Sequence, residues 1–168
     1  MGVEDHKRAA EGMGEISFAV ITVSDSRNEA EDASGTCIQD RMREAGHRMV
    51  SYRLLTNDLA AIQDEVMRLV EAKVECIVAT GGTGLGRRDV TIEAVTPLLD
   101  KTLGGFGELF RHLSFHEVGT AALMSRATAG SSRGTLIFCL PGSTKAVQLA
   151  LERLILPELK HLVRELYR

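Results

Sequence analysis

The chain has 168 residues, a formal net charge of −3, and hydrophobic and charged fractions of 44% and 26% that are ordinary for a globular protein. Its weak charge indicates neither a nucleic-acid nor a membrane partner, no apolar run approaches the roughly 20 residues of a membrane span, and its start lacks the apolar segment of a signal peptide. We therefore expect a cytoplasmic protein in which residues 1–15 form a flexible N-terminal tail and residues 16–168 form one domain.

The first half of the chain predicts two strands, each followed by a helix. The β-branched run at residues 16–23 and the apolar residues of 47–55 are typical of buried strands. Apolar residues at helical spacing predict a helix that ends at Gly46, and a second helix that begins at a cap formed by Asn57 and Asp58.

The second half repeats the alternation less regularly. Residues 103–130 are irregular apart from helical spacing near their start, and residues 131–134 indicate a turn. A last strong strand is predicted over 135–140, and a helix follows it. Pro157 is expected to begin the final helix, because proline is tolerated in the first helical turn.

A third strand at residues 76–79 completes a strand–helix–strand–helix–strand order before this irregular region. That order predicts an α/β fold of three layers, a mostly parallel sheet flanked by helices on both faces. Ligands of such sheets bind beyond the carboxyl ends of the strands. Four polar or glycine-rich stretches follow predicted strands and should meet at one edge of the sheet: residues 24–28, 57–58, 80–89 and 141–145.

The glycine-rich stretch is the strongest candidate for a binding site. It follows the third strand and reads Thr80-Gly81-Gly82-Thr83-Gly84-Leu85-Gly86-Arg87-Arg88-Asp89. Its glycines would let backbone amides approach phosphate oxygens closely. It lacks the lysine and hydroxyl of a Walker loop, and its alternating glycines do not fit the dinucleotide fingerprint. The alternative is a plain strand-to-helix connection, with Asp89 as the N-cap of the helix that Pro97 later interrupts.

Side chains at the other strand ends are further candidates for contact with an anionic ligand. Ser24 and Asp25 end the first strand, although polar turn residues are common there. Ser34-Gly35 lies at a helix start, a favourable place for phosphate. Pro141, Gly142 and Ser143 form with Lys145 another backbone-rich anion site, in which Lys145 is a point charge. Lys145 could equally be a solvated lysine, and surface ion pairing could explain the weaker candidates Glu93 and Arg126.

The histidines and cysteines indicate no second site. His112 and His116 have the spacing of a helical metal pair, but no third ligand candidate lies nearby. Cys37, Cys76 and Cys139 lie in apolar surroundings and are expected to be reduced core residues. For Cys76, beside the glycine-rich loop, this is favoured over a nucleophile.

Seven short motifs, in matching order over about residues 16–168, resemble the molybdenum cofactor biosynthesis protein B and Mog family. They are Thr-Val-Ser-Asp-Ser at 22–26, Glu-Asp-Ala-Ser-Gly at 31–35, Thr-Gly-Gly-Thr-Gly at 80–84, Arg-Arg-Asp-Val-Thr at 87–91, Gly-Phe-Gly-Glu at 105–108, Ser-Arg-Ala at 125–127 and Pro-Gly-Ser-Thr-Lys-Ala at 141–146. The resemblance implies a molybdopterin-binding fold, shared with gephyrin-type domains. It also implies transfer of AMP from ATP to the terminal phosphate of molybdopterin, with Mg²⁺, before a further protein inserts molybdenum.

The resemblance implies roles for two aspartates. Asp89 matches an important aspartate of the family and Asp58 resembles a second; both would be catalytic and would hold Mg²⁺ through the nucleotide. For each the alternative is a helix cap. Molybdopterin is expected as a substrate rather than as a prosthetic group. Two other functions stay open: a protein that binds molybdopterin without turnover, and an unrelated phosphate-binding module.

The resemblance also implies an assembly. Mog-type relatives form trimers and protein B-type relatives form hexamers built from two trimers, and Thr-Lys after Pro-Gly-Ser favours the B type. Residues 104–129 hold many apolar side chains, which one chain of this size would struggle to bury, although they could complete the core instead. We expect a homo-oligomer, a hexamer before a trimer, with contacts drawn from Phe106, Leu109, Phe110, Leu113, Phe115, Val118 and Leu123.

Overall fold

The computed structural model describes residues 12–168, which form six strands and six α-helices. The strands are β1 (Ser17–Val23), β2 (Arg48–Leu55), β3 (Cys76–Thr80), β4 (Lys101–Thr102), β5 (Thr128–Ser132) and β6 (Thr135–Leu140). The helices are α1 (Ala33–Glu44), α2 (Leu59–Glu71), α3 (Thr91–Val95), α4 (Gly104–Val118), α5 (Thr144–Ala150) and α6 (Leu156–Leu166).

The strands form one mixed sheet in the order β2-β1-β3-β6-β5-β4. The pairs β2–β1, β1–β3 and β3–β6 are parallel, whereas β5 runs antiparallel to both β6 and β4. The predicted α/β fold with a mostly parallel sheet is therefore confirmed. Since the chain leaves β1 for β2 on one side and returns to β3 on the other, the strand order reverses between β1 and β3, where such sheets bind ligands.

Alternate residues of the central strands face two separate cores. In β1, Phe18 and Val20 pack with the helices α1, α4, α5 and α6, whereas Ala19 and Ile21 pack with α2 and α3. Each of these four side chains is fully buried, and burial of a large apolar side chain contributes about 1.5–3 kcal/mol. The continuous apolar run of β1 thus reflects a strand that is covered on both faces.

The strand β5 lies where the sequence predicts irregular chain running into a turn. Its small residues give no alternating apolar pattern, because neighbouring backbone comes too close for larger side chains: a Cβ on Gly130 would lie 2.4 Å from the Lys101 carbonyl oxygen. Pairing with β6, such as Ala129 with Phe138, holds the strand in place. The turn is confined to Arg133 and Gly134, both with positive φ, so the predicted start of the turn at Ser131 is wrong.

The last two helices join without a break. Residues Leu151–Ile155 form a π-helical segment between α5 and α6, and Pro157 lies in the first turn of α6 as predicted. The wider π-turn accommodates a proline that has no N–H to donate to the preceding turn.

Residues 1–11 of the predicted tail lie outside the described residues. Just before β1, Lys160 Nζ donates to the Met13 carbonyl oxygen at 2.9 Å, which ties this part of the chain to α6. Within residues 12–168, no helix has both the length and the apolar character needed to span a membrane.

Candidate functional site

A cavity of about 850 Å³ lies at the carboxyl ends of β1, β3 and β6. Its polar side is formed by residues that the sequence predicts to contact the ligand and that follow three strands: Ser24, Asp25, Gly81, Gly82, Thr83, Gly84, Asp89, Pro141, Gly142, Ser143 and Lys145. The opposite wall is largely apolar and comes from α4, the 3₁₀ helix Gly119–Met124 and α5. It includes Phe110, Val118, Ala121, Ala122, Met124 and Leu149.

The glycine-rich loop brings backbone close to its surroundings at two positions. Gly81 and Gly82 have φ of 89° and 64°, and a Cβ on Gly81 would lie 2.2 Å from the Val23 carbonyl oxygen. Glycine is therefore required at both positions. Within the described part of the chain, the N–H groups of Gly82, Thr83 and Gly84 donate to no protein acceptor. The loop thus offers three consecutive unpaired donors beside the cavity, the arrangement that binds phosphate.

The predicted helix cap at Asp89 is wrong. Helix α3 begins at Thr91, whose N–H donates to the Gly82 carbonyl at 2.9 Å and whose Oγ1 donates to the Gly81 carbonyl at 2.7 Å. These bonds fix the helix start at Thr91, one residue later than a cap at Asp89 requires. Asp89 instead accepts the Gly86 N–H at Oδ2, over 3.0 Å, and lines the cavity.

At the end of β2, Asn57 rather than the predicted Asp58 lines the cavity. Asp58 is exposed and caps α2, with Oδ1 accepting the Ala61 N–H at 2.7 Å, so the capping alternative is confirmed and the residue does not line the cavity. Asn57 does line it, and its buried Oδ1 has no partner. Asp25 Oδ1 accepts the Asn57 N–H at 2.8 Å and so joins the ends of β1 and β2. The sequence predicted this corner but not which of its residues faces the cavity.

Ser34 and Gly35 lie behind the cavity, which corrects the predicted ligand contact. The N-cap of α1 is the buried Asp32, and its Oδ1 already accepts the Gly35 N–H at 2.9 Å. Ser34 Oγ donates to the same carboxylate and accepts from Arg27 at 3.2 Å. Arg27 lines the cavity, and its guanidinium also donates to the Gly142 carbonyl at 3.3 Å. Ser34 therefore positions a cation that the sequence did not single out.

The buried carboxylate beneath Arg27 is ionised. Burial alone would raise the pKa of Asp32, but the hydrogen bonds that it accepts, including those from Gly35, Tyr52 and Ser34, hold this pKa below its ordinary value. The Tyr52 hydroxyl donates to Asp32 Oδ2 at 2.8 Å, and burial together with this carboxylate raises the pKa of Tyr52. The network fixes α1 against β2 under the cavity.

Two other predicted contacts are not part of the cavity lining. The Thr80 hydroxyl is buried and donates to the Pro141 carbonyl at 3.0 Å, which holds β3 to the loop after β6. Glu93 forms an ion pair with Arg126, as the ion-pair alternative predicts. Neither Thr80 nor Glu93 lines the cavity, so the predicted direct contacts are corrected to supporting positions.

The charges at the cavity favour an anion together with a cation. Arg27, Arg88 and Lys145 are the positive side chains in its lining, and Asp25, Asp89 and Glu117 are the negative ones. The Ser143 side chain caps α5, because its Oγ accepts the Ala146 N–H at 3.2 Å. Arg27 and Arg88 lie within stretches that the sequence predicted to meet, but no spacing rule distinguishes them from solvated arginines.

Residues 12–168 contain no group of three or more His, Cys, Asp or Glu side chains suited to a metal. The rings of His112 and His116 pack edge to face, with centroids 4.9 Å apart, and no third ligand joins them. Cys76 and Cys139 are buried and free, which confirms the core interpretation, and burial raises the pKa of both thiols; Cys37 is half-buried.

The fold and the cavity together define a doubly wound α/β protein whose strand ends surround a cavity with unpaired backbone donors, charged side chains and an apolar wall. Residues 19–161 match the family described as probable molybdopterin binding domain. The chain therefore belongs to that family.

Similar proteins span nearly the whole chain. Molybdenum cofactor biosynthesis protein B from Bacillus subtilis (strain 168) is 45% identical over 168 residues, which cover 99% of this chain and 98% of that protein. A crystal structure of a molybdenum cofactor biosynthesis protein B matches with a TM-score of 0.88 at 44% identity, covering 92% of this chain and 97% of the other. The tungsten cofactor synthesizing protein MoaB from Pyrococcus furiosus matches with a TM-score of 0.86 at 38% identity, covering 94% and 100%.

Proposed function

We propose that this protein acts in molybdenum cofactor biosynthesis by binding molybdopterin and adenylylating it with Mg-ATP. The observation that carries the proposal is the run of three unpaired N–H groups at Gly82, Thr83 and Gly84, which faces an apolar wall across one cavity. A phosphate can bind the amides while a flat ring system packs on the apolar side. Molybdopterin and ATP both combine these two features.

The reaction joins a phosphate oxygen of molybdopterin to the α-phosphorus of ATP and breaks the bond between the α- and β-phosphates, releasing pyrophosphate. Two highly charged groups must approach each other, so the protein's main tasks are neutralisation and alignment. Arg27 is fixed for this task by Ser34 and the Gly142 carbonyl, and Lys145 adds a second charge nearby. Donors held in place before the reaction require no reorganisation as charge develops.

Two carboxylates fit a magnesium ion that arrives with the nucleotide. Asp25 and Asp89 each use one oxygen within the protein and have no protein partner at the other, among the residues described. Mg²⁺ usually takes only one or two carboxylates, with phosphates and water completing its shell. These aspartates would hold the ion, which would neutralise phosphate charge. Asp58, at the cap of α2, is not part of this set.

A protein that binds molybdopterin without turnover is the second candidate, and one observation favours it. The second aspartate expected in catalysis caps a helix, and the neutral Asn57 occupies the cavity lining beside it. If adenylyl transfer requires the Asp58 carboxylate as well as that of Asp89, the site would bind molybdopterin but would not adenylylate it.

One experiment separates the two candidates. The purified chain is incubated with molybdopterin, ATP and Mg²⁺, and adenylylated pterin and pyrophosphate are measured by chromatography. Equal formation of both products supports the transferase. Molybdopterin binding without either product supports the binding protein, and absence of binding contradicts both. We further propose that the adenylylated pterin passes to a protein that inserts molybdenum.

The surface favours the proposed homo-oligomer, although part of the predicted contact set is buried. Phe106 and Phe110 belong to the core, and their rings stack with centroids 6.3 Å apart. The core interpretation therefore holds for these two residues. Exposed apolar side chains remain along α4 and the following 3₁₀ helix: Leu109, Phe115, Val118, Leu123 and Met124. Exposed apolar side chains concentrated in one segment are typical of a subunit contact, and we call these five residues the exposed strip.

A further inference from the structure

Arg126 connects two separate parts of the chain just outside the cavity. It lies between the 3₁₀ helix Gly119–Met124 and β5, and its Nε donates to the Thr83 carbonyl oxygen at 3.0 Å. The two remaining guanidinium nitrogens donate to the Glu93 carboxylate, one of them at 3.2 Å. Neither Arg126 nor Glu93 lines the cavity. The guanidinium therefore contacts the glycine-rich loop without being part of the cavity lining.

This contact fixes the direction of the next N–H group. In a trans peptide the carbonyl of one residue and the N–H of the next point in opposite directions, and every described peptide bond here is trans. The Thr83 carbonyl is directed at Arg126, whose side chain does not line the cavity. The Gly84 N–H of the same peptide is consequently turned to the opposite side, and it is one of the three unpaired donors.

The loop needs such an external contact because its own residues restrain it weakly. Rotation of the Thr83–Gly84 peptide changes ψ of Thr83 and φ of Gly84, and glycine at position 84 permits backbone rotations that other residues resist. Glu93 in turn orients the guanidinium through paired charge-assisted hydrogen bonds, and the bond from Arg126 lowers the pKa of Glu93, which keeps that carboxylate ionised. Thr83 is buried except where it lines the cavity, so without Arg126 its carbonyl would have to turn towards the cavity to reach water.

We propose that Arg126 is a positioning residue that sets the orientation of the Thr83–Gly84 peptide for phosphate binding, and that Glu93 orients Arg126. This inference rests on the proposed function only in taking a phosphate as the ligand of the loop. It accounts for two charged residues that do not line the cavity. It also means that the segment after the 3₁₀ helix Gly119–Met124 controls the conformation of the glycine-rich loop, through Arg126.

The test compares Arg126→Lys with Arg87→Lys in the full chain. Lysine retains the charge opposite Glu93 but cannot donate to Glu93 and Thr83 with the same fork. Arg87 is an exposed arginine of the same loop and does not line the cavity, so its replacement is the matched control. Calorimetric titration with Mg-ATP should show affinity about tenfold lower for Arg126→Lys, the scale of a hydrogen bond to a charged group, and unchanged for Arg87→Lys.

Crystal structures of the unliganded variants give a readout that does not depend on function. We expect the Thr83–Gly84 peptide to turn or to occupy two orientations in Arg126→Lys, and Glu93→Gln to weaken Mg-ATP binding to a smaller extent. A peptide that keeps its orientation in Arg126→Lys overturns the inference, as does unchanged affinity in that variant. Wild-type protein that binds no Mg-ATP would overturn the proposed function, while the peptide orientation would still decide the role of Arg126.

Discussion

One carboxylate oxygen of Asp89 accepts a hydrogen bond within the glycine-rich loop, and the other has no protein partner among the described residues. Oδ2 accepts the Gly86 N–H, and asparagine could retain this bond while losing the negative charge. We predict that Asp89→Asn slows adenylyl transfer by about two or more orders of magnitude, as expected when a preorganised charge-stabilising group is lost, with a smaller effect on molybdopterin binding. Single-turnover formation of adenylylated pterin measures this. A variant with the wild-type rate would restrict Asp89 to closing the loop.

Asp58 provides the contrasting case, because its carboxylate caps α2 away from the cavity lining. We predict that Asp58→Ala lowers the free energy of unfolding by about 1 kcal/mol, the usual cost of losing an N-cap, and leaves adenylyl transfer unchanged. Denaturant unfolding and the same single-turnover assay test the two parts. Loss of activity in a stably folded variant would return Asp58 to catalysis.

Gly84 is the better of two glycines for testing the loop. At Gly82, any side chain would be strained by a φ of 64° and would meet Asn57 Oδ1 at 2.5 Å, so a variant there would disturb the fold as well as binding. At Gly84, a Cβ would meet only the Asp89 carboxylate, at 2.6 Å, and that side chain can move. We predict that Gly84→Val abolishes binding of molybdopterin and ATP while the melting temperature changes little. Wild-type affinity in this variant would contradict the assignment of the loop.

Residues at the candidate site were predictable where backbone chemistry determines them. Residues 81–84 of the glycine-rich loop, residues 141–143 and the end of β1 follow from strand and turn patterns, and these residues line the cavity. The choice between Asn57 and Asp58 was not predictable, since either can cap a helix and only the exit angle of the chain decides which one faces inward. Arg27 was missed for a similar reason: its orientation depends on Ser34 and Gly142, the latter 115 positions away.

At the scale of elements, the buried Asp32 joins α1 to β2 beneath the cavity. It caps α1 through the Gly35 N–H and accepts the Tyr52 hydroxyl. Its pKa is lowered in the folded state, so its contribution to stability is fully present above its ordinary value of 3.8 and is lost as the pH falls through the lower folded-state pKa. Asp32 thus stabilises the edge of the sheet at neutral pH but not in acid.

Comparison of wild type with Asp32→Asn isolates this contribution. At neutral pH we predict that the variant unfolds with a free energy lower by about 1.5–3 kcal/mol, the value of hydrogen bonds to a charged group. The difference should narrow as the pH falls below 3.8, where the Asp32 carboxyl of the unfolded chain becomes protonated, and should be lost below the lower folded-state pKa. Urea unfolding over a series of pH values measures it. A difference that does not depend on pH would mean that Asp32 acts only by its shape.

Elements with a strong apolar pattern were predicted and those without one were not. The central strands β1, β3 and β6 are covered on both faces, so their sequences are continuously apolar. Small residues form β5 because neighbouring backbone approaches it closely, and pairing rather than propensity makes it a strand. The region after α3 was therefore irregular in sequence although it is ordered in the fold.

At the scale of the whole molecule, the sheet order places the ends of β1, β3 and β6 side by side while the helices cover opposite faces. The apolar wall of the cavity comes from the same segment that exposes apolar side chains outward. Val118 and Met124 belong to both the cavity lining and the exposed strip. Assembly through this segment would therefore also restrain one wall of the site.

The assembly is tested by removing the most exposed residue of the strip. Leu123 is 87% exposed in the single chain, and exposed apolar patches mark interaction sites. We predict that the wild-type protein has a mass of six chains, or otherwise three, and that Leu123→Ser shifts it to a smaller species. Leu59→Ser is the matched control, since this exposed leucine starts α2 on the other face of the sheet. Light scattering at micromolar concentration reads both masses. A wild-type mass of one or two chains would contradict the proposed oligomer, and equal effects of the two variants would assign the contact to another surface.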